Sequence, residues 1–203
     1  MNKYNPLVTV RVSAYNSSKT IVETLDSIYN QTYQNIELII SDDCSTDETV
    51  SICRDWVNKY AKRFQRAIII THPVNTGIPS NINRAIKEAK GEWIKGIAAD
   101  DLLLPNCIEV YMNFVHNREN CYIVGANSFE FIDNDIRDIK KEKEKIRLIR
   151  QRFASKEVNQ QLKMSYYKYI PCTPTLFISR TVYEKILYDE KYPLIEDYPF
   201  LLN

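Results

Sequence analysis

The chain has 203 residues, 26% charged and 44% hydrophobic, with 27 Lys and Arg against 26 Asp and Glu. A chain of this length buries roughly 70% of its unfolded surface, enough for a hydrophobic core. Its near-zero charge excludes a globally basic nucleic-acid-binding protein, so we expect no nucleic-acid partner. No run approaches the roughly 20 apolar residues of a membrane helix. The start carries no signal-peptide pattern and the five cysteines form no Cys-x-x-Cys pair, so we expect a cytoplasmic protein.

Strand and helix patterns alternate along the first half of the chain. Strand patterns show alternating or continuous apolar residues, and helix patterns show apolar residues three and four apart. The predicted strands are Leu7–Ala14, Ile36–Ser41, Ala67–Thr71 and Trp93–Ala98, and the predicted helices are Thr20–Asn30, Val50–Phe64, Pro79–Ala89 and Pro105–His116. This alternation indicates an α/β fold with a mostly parallel sheet flanked by helices. Functional loops are then expected at the carboxyl ends of the strands.

Three local features carry further expectations. Ser45 and Glu48 are three residues apart and predict a capping box at the start of the second helix. Gly91 follows the third helix, where a glycine is typical of the C′ position. Arg11 interrupts the first strand. Either its face of the sheet is not fully covered, or its charge is paired.

The character of the sequence changes after Asp133. The segment Asp138–Arg152 is dense in charge and predicts a surface helix, solvated or, alternatively, offering a basic surface to an acceptor or a lipid headgroup. The segment Ile170–Ser179 predicts a strand, with prolines that favour an edge or an interrupted start. No repeat or Gly/Ser linker divides the chain, so we predict one domain over residues 1–203.

Two acidic pairs follow strands at comparable places. Asp42-Asp43 follows the second predicted strand and Asp100-Asp101 follows the fourth, so both pairs fall on the rim where open α/β sheets bind ligands. Adjacent carboxylates repel each other and need cations, donors or water to stay ionised. A divalent cation bridging to a diphosphate meets that need. A plain solvated turn is the alternative for either pair.

Polar residues at the other strand ends agree with a ligand site. Tyr15-Asn16 follows the first strand and offers an aromatic ring for stacking, although a core-facing Tyr in a turn is equally compatible. Asn75 precedes Gly77, whose missing side chain lets backbone approach a ligand closely. The sequence has no Gly-x-Gly-x-x-Gly, no P-loop and no Gly-x-Ser-x-Gly element. These absences disfavour a dinucleotide-binding Rossmann site, a P-loop ATPase and an α/β-hydrolase.

Six segments in order resemble the N-terminal motifs of family 2 glycosyltransferases of the GT-A fold. They are Val10–Asn16, Ser27–Tyr33, Glu37–Ser45, Asn75–Ile78, Ala89–Trp93 and Ala99–Pro105. The resemblance implies a nucleotide-sugar-binding half over residues 1–115 and a partial acceptor-side half over 116–203.

The activity that the resemblance implies is inverting, hexosyltransferase-like sugar transfer. The donor is a nucleotide-diphosphate sugar, UDP-linked by default, the metal is Mn²⁺ or Mg²⁺, and the acceptor is a hydroxyl of a glycan or lipid-linked molecule. A role in cell-surface polysaccharide or glycan synthesis follows, with peripheral association at the inner face of a membrane. The alternative is a non-catalytic nucleotide-sugar-binding scaffold of the same fold.

The resemblance also assigns roles to individual residues. Base and nucleotide binding fall to Ala14, Tyr15, Asn16, Asp43, Asn75 and Gly77. Asp100 is placed near the ribose and Asp101 on the metal. The sequence departs from the commonest Asp-x-Asp-Asp version by carrying Ala98 at the first position. Arg84 follows Asn83, whereas the family often has an arginine before that asparagine, so a diphosphate role for Arg84 is less directly implied.

Asp197 is the predicted general base. The segment Pro193–Tyr198 resembles the Glu-Asp element of the family, although an acidic helix N-cap would also explain it. The sequence stops within the apolar run Phe200–Leu202, which predicts a truncated chain that binds nucleotide and metal but transfers sugar poorly.

Overall fold

The computed structural model describes residues 4–116, 118–126, 131–132, 135–136 and 175–192. Strands and helices alternate through the first half, as the periodicity predicts. The strands are β1 Val8–Ala14, β2 Ile36–Asp42, β3 Arg66–Thr71, β4 Trp93–Ala98, β5 Ile123–Gly125, β6 Phe131–Ile132, β7 Asp135–Ile136 and β8 Leu176–Ser179. The helices are α1 Ile21–Tyr29, α2 Thr49–Tyr60, α3 Ile78–Glu88 and α4 Cys107–His116, with a 3₁₀ turn at Ala61–Arg63 and one helical turn at Arg180–Tyr183.

Six strands form one sheet in the order β3-β2-β1-β4-β8-β5. The strands β3, β2, β1 and β4 are parallel, and Val10 of β1 lies opposite Leu38 of β2 and Lys95 of β4. The strand β8 runs antiparallel to β4 and β5 runs antiparallel to β8. The predicted α/β class with a mostly parallel sheet is confirmed. Parallel pairing brings the carboxyl ends of β1, β2 and β4 to one edge, where ligands of open α/β sheets bind.

The side chains of the sheet alternate between two apolar layers. Val8, Val10 and Val12 of β1 are fully buried in the larger layer, which helices α1, α2 and α4 cover. Ile82 and Ile86 of α3 belong to the smaller layer on the other face. Burying one branched aliphatic side chain contributes about 1.5–3 kcal/mol, so both layers hold the strand ends in place.

Two local predictions are wrong. Helix α2 begins at Thr49 without a capping box, since the Ser45 hydroxyl donates to Asp42 instead and the Asp47 carboxylate accepts the Thr49 N–H at 3.0 Å. Helix α3 ends at Glu88, and Gly91 is not its left-handed C′ residue.

Gly91 is instead a close-packing position. A Cβ there would come within 2.4 Å of the Thr9 nitrogen, and the Gly91 N–H donates to the Thr9 hydroxyl at 2.9 Å. The segment before β4 therefore lies directly against β1.

Several predictions fall outside the described residues: the charge-dense helix at Asp138–Arg152, the first residues of the Ile170–Ser179 strand, and Asp197. Within the described ranges, no helix is long and apolar enough to cross a membrane. Cys44, Cys53, Cys107 and Cys121 are free thiols.

Candidate functional site

A cleft of about 480 Å³ opens at the carboxyl ends of β1, β2 and β4. Its wall brings together six of the predicted nucleotide-binding residues: Ala14, Tyr15, Asp43, Asn75, Gly77 and Asp100. Among the described residues, the predicted Asn16 and Asp101 are not part of this wall. The cleft lies at the edge of the sheet where the polar residues after the strands predict a ligand site.

The carboxylate of Asp43 is the centre of a hydrogen-bond network that joins β2 to α3. It accepts the Thr76 N–H at 3.0 Å, the Thr76 hydroxyl at 2.8 Å and the Gly77 N–H at 2.8 Å. The guanidinium of Arg84 donates to it as well and forms an ion pair with it. Burial raises the pKa of Asp43, but these hydrogen bonds outweigh burial and hold the pKa below its usual value.

Four donors on one carboxylate have a chemical consequence. An ionised carboxylate offers about four lone-pair sites, so the Thr76, Gly77 and Arg84 donors fill the capacity of Asp43. A ring N–H of a nucleobase would have to displace or share one of these contacts. The Thr76 hydroxyl, whose hydrogen can rotate, also accepts from Arg84 at 2.7 Å.

Asn16 connects the loop after β1 to the loop after β2. It has a positive φ of 48°, its N–H donates to the Ser45 hydroxyl at 2.8 Å, and its side-chain oxygen accepts the Thr46 N–H at 2.8 Å. The side chain thus turns away from the cleft and holds the loop that carries Tyr15. Tyr15 is 48% exposed and lines the cleft, so its ring is accessible for stacking.

The start of α3 forms another part of the wall. Gly77 has a φ of 86°, a region that favours glycine, and precedes the first helical residue, Ile78. Asn81, one turn later, donates to the Ser41 carbonyl at 3.0 Å and accepts from the Ser41 hydroxyl at 2.6 Å. Asn81 therefore ties the helix to the end of β2 and keeps the position of Gly77 relative to the strands.

The second acidic pair follows β4, which is separated from β2 and Asp43 by β1 in the sheet. Asp100 is exposed on the wall, and Asp101 is half-buried with its N–H donated to the Ala98 carbonyl at 3.2 Å. Burial, followed by the neighbouring charge of Asp100, raises the pKa of Asp101, although Lys95 partly offsets this. Ionisation of Asp101 is therefore disfavoured in this structure, and a cation beside its carboxylate would stabilise the ionised form.

The donor set at this position fits a shared metal. Within the described ranges there is no group of three or more His, Cys, Asp or Glu side chains. Asp101 and its neighbour can still supply one or two carboxylate ligands to Mg²⁺ or Mn²⁺, which take their other oxygens from a diphosphate and water.

Sequence reasoning missed three residues of the site. Asn81 gave no sequence signal, since a polar residue in an amphipathic helix predicts solvent exposure. The sequence leaves a diphosphate role for Arg84 open, and nothing in it indicates the ion pair with Asp43. Arg11 is an anomaly in the strand pattern, but the sequence does not indicate that it lines the cleft.

This fold and cleft define an α/β protein with a candidate ligand site at the carboxyl ends of a parallel sheet. The family model for glycosyl transferase family 2 matches residues 9–187. The chain belongs to that family, which confirms the resemblance of its motifs.

Relatives and solved structures agree. A glycosyltransferase of Rickettsia typhi is 31% identical over 97% of this chain, and glycosyltransferase GlyG of Streptococcus pneumoniae is 33% identical over 64%. The chain spans 58% of the length of the former and 41% of the latter. The S. aureus TarS 1–349 complex with UDP superposes with a TM-score of 0.64 at 21% identity, covering 94% of this chain and 52% of TarS 1–349. The mannosyltransferase PcManGT from Pyrobaculum calidifontis, in complex with GDP-Man and Mn²⁺, superposes with a TM-score of 0.67 at 21% sequence identity. The match covers 93% of this chain and 49% of PcManGT.

Proposed function

We propose that this chain binds a nucleotide-diphosphate sugar and, in the protein to which it belongs, transfers the sugar to an acceptor hydroxyl with inversion. One observation carries the proposal: Tyr15, Asp43 and Asp100, which follow the neighbouring strands β1, β2 and β4, all line a single cleft. An aromatic ring, hydrogen-bonding groups and an acidic edge match the base, ribose and diphosphate of such a donor. Residues 1–115 form the donor half in this proposal, and residues 116–203 form part of the acceptor half.

The base lies against Tyr15, whose exposed ring offers a stacking surface. Asp43 holds the Thr76–Gly77 backbone in place and, after one of its present donors moves, accepts a ring N–H. Ala14 and Asn75 close the base site by shape. Asn16 acts indirectly, by holding the loop of Tyr15.

The ribose lies near Asp100, and Asp101 with the diphosphate holds a divalent cation. When bound, Mn²⁺ or Mg²⁺ neutralises the charge that develops on the leaving diphosphate. The raised pKa of Asp101 supports this assignment, since a half-buried carboxylate beside another carboxylate gains most from a cation.

Transfer itself needs an acceptor hydroxyl on the face of the sugar opposite the diphosphate. The sugar passes through an oxocarbenium-like state, as in glycoside hydrolysis, and the hydroxyl loses its proton to a carboxylate within hydrogen-bond reach. We assign this proton to Asp197 on the sequence resemblance alone, because Asp197 lies outside the described residues.

The neighbouring structures support donor binding by analogy of fold. TarS 1–349 has been solved with UDP and with UDP-GlcNAc, and PcManGT with GDP-Man and Mn²⁺. A UDP- or GDP-linked hexose is therefore the first donor class to test here. A glycan or lipid-linked acceptor in cell-surface polysaccharide synthesis, used at the inner face of a membrane, completes the proposal.

The test is a thermal-shift screen of UDP-, GDP- and dTDP-sugars with and without Mn²⁺. A ligand at 100 times its Kd stabilises the folded state by about 2.7 kcal/mol. For a chain of this size that is a rise in Tm of roughly 5 to 11 °C. A rise with one nucleotide class that depends on Mn²⁺ is expected, and no rise with any of them would contradict the proposal.

A second measurement separates transfer from mere binding. Release of nucleoside diphosphate from the bound donor is followed for the wild type, for Asp197→Asn and for the matched control Glu196→Gln. A general base predicts a large loss of rate in Asp197→Asn alone. Donor binding without turnover, with every acceptor class tested and in a C-terminally longer chain as well, would instead favour a non-catalytic scaffold.

A further inference from the structure

Arg11 is a buried cation in the wall of the cleft. It lies in the middle of β1 and is 5% exposed, yet it lines the cleft together with Ser13 and Gly96. Its Nη1 donates to the Ser13 hydroxyl at 2.9 Å, and the Tyr183 hydroxyl is close enough to interact with its charge. Its Nε is buried without a hydrogen-bond partner. Both polar contacts are therefore with neutral hydroxyl groups.

The charge of Arg11 is not balanced by a carboxylate in the part of the chain that the structure describes. A guanidinium stays protonated at any physiological pH, so it cannot lower its burial cost by losing a proton. A buried charge without a counter-charge costs several kcal/mol, which makes it a feature that a bound anion would stabilise.

Gly96 of β4 provides the space for this guanidinium. Arg11 and Gly96 are register partners on the neighbouring strands β1 and β4. A Cβ at position 96 would lie 2.5 Å from Nη2 and 2.7 Å from Cζ of Arg11. The two positions thus accommodate one another, and any side chain at 96 would displace the guanidinium.

The other charges of the cleft are already matched or lie elsewhere. Asp43 pairs with Arg84, and Asp100 is exposed at the rim. Arg11 precedes Ala14 by three residues, so its backbone lies about 10 Å further into the sheet than the strand end. It is the one basic residue in the described part of the cleft wall.

We propose that Arg11 and Ser13 form an anion subsite that selects donors whose transferred sugar carries a carboxylate, as in the hexuronic acids. The inference rests on the proposed nucleotide-sugar binding. In that proposal the cation at Asp101 neutralises the charge of the diphosphate. Arg11 can then pair with a second anionic group of the donor. A planar guanidinium suits a carboxylate, because the two can form charge-assisted hydrogen bonds in parallel.

The experiment compares matched neutral and acidic donors. Calorimetry with Mn²⁺ measures binding of UDP-glucose against UDP-glucuronic acid, and of GDP-mannose against GDP-mannuronic acid. In at least one of the two pairs, we expect the wild type to bind the acidic donor about ten-fold more tightly than the neutral donor. A difference of this size is in line with a hydrogen bond to a charged group. Arg11→Met should remove this preference while leaving the affinity for the neutral member within two-fold.

Two further variants keep the test independent of folding effects. Gly96→Ala displaces the guanidinium without changing its charge and should also remove the preference. Arg54→Met makes the same replacement at an exposed site of α2 and should preserve it. Circular dichroism checks that each variant is folded.

The outcomes are distinguishable. Equal binding of neutral and acidic donors by the wild type would overturn this inference and leave the proposed function standing. So would an equal loss of affinity for both members in Arg11→Met, since the guanidinium would then contact the diphosphate. Failure of the wild type to bind any of the four donors would overturn this inference, and it would overturn the proposed function as well only if the UDP-, GDP- and dTDP-sugar screen also gave no rise in Tm.

Discussion

The ion pair between Asp43 and Arg84 should contribute measurably to stability, because it joins the end of β2 to helix α3. The carboxylate also accepts two backbone N–H groups, from Thr76 and Gly77. Asp43→Ala removes the acceptor of all these donors at once. Asp43→Asn keeps the shape and one acceptor oxygen but removes the charge.

The expected cost follows from burial. Breaking a buried ion pair by removing one partner costs about 3–5 kcal/mol. The side chain of Arg84 is 19% exposed, so water compensates part of its lost partner, and we expect the lower end of this range for Asp43→Ala. A loss of 3 kcal/mol corresponds to a fall in Tm of roughly 6 to 12 °C for a chain of this size. We expect about 1–3 kcal/mol for Asp43→Asn.

Urea unfolding at neutral pH gives the free energies, and a double-mutant cycle with Arg84→Met isolates the pair. A coupling above about 1 kcal/mol is expected for charged groups in direct contact. Additive effects of the two substitutions would refute the reasoning, since Asp43 and Arg84 would then contribute independently.

The pH dependence gives a second check of the same pair. The folded-state pKa of Asp43 lies below its usual value of 3.8. Its contribution is therefore present above that value and is lost as the pH falls through the lower, folded-state pKa. The stability difference between wild type and Asp43→Asn should shrink from neutral pH towards about pH 3. A difference that stays constant or grows on acidification would contradict the assignment.

Three other predictions concern the metal, the base and the packing of the strands. Asp101→Asn should abolish the Mn²⁺-dependent rise in Tm with nucleotide, and an unchanged Mn²⁺ effect would exclude Asp101 as a ligand. The metal-free variant should be at least as stable as the wild type, because the raised pKa of Asp101 shows that its ionisation is unfavourable in the folded protein. Tyr15→Ala should weaken nucleotide binding by about 1–3 kcal/mol in calorimetry and Tyr15→Phe much less, as expected for stacking; equal losses would point away from a stacked base. Gly91→Ala should cost about 1–3 kcal/mol in urea unfolding because the new Cβ meets the Thr9 backbone at 2.4 Å, whereas Lys90→Ala next to it should be nearly neutral; similar effects of the two would argue against that close contact.

Local sequence patterns were sufficient for the first half of the fold. The alternation in Val8–Ala14 and the apolar run of β2 reflect burial on one or both faces of a strand, and the helices show the 3.6-residue period. Right-handed crossovers then place the ends of parallel strands on one edge. For this reason the sequence is sufficient to place Tyr15, Asp43 and Asp100, each just after a strand, on one edge of the sheet.

The pairing of side chains within that rim could not be assigned in the same way. The Asp43–Arg84 contact joins residues 41 apart, and it depends on where α3 crosses β2. The capping-box pattern predicts that Ser45 pairs with the residue three positions later, but the folded protein directs its hydroxyl to Asp42, three positions earlier. Composition and spacing do not predict which polar side chain pairs with which, because each residue has several polar residues near it in the sequence.

The sequence by itself determined the α/β class, the acidic and aromatic groups at the strand ends and the family, because these depend on short segments whose periodicity and motifs are local. Only the tertiary structure decided that Asn16 holds a loop, that the lone pairs of Asp43 are already filled, and that Arg11 meets Gly96 beside the cleft. Those features depend on strand register and on the angle at which a helix packs, and both are set by the whole core rather than by any one segment.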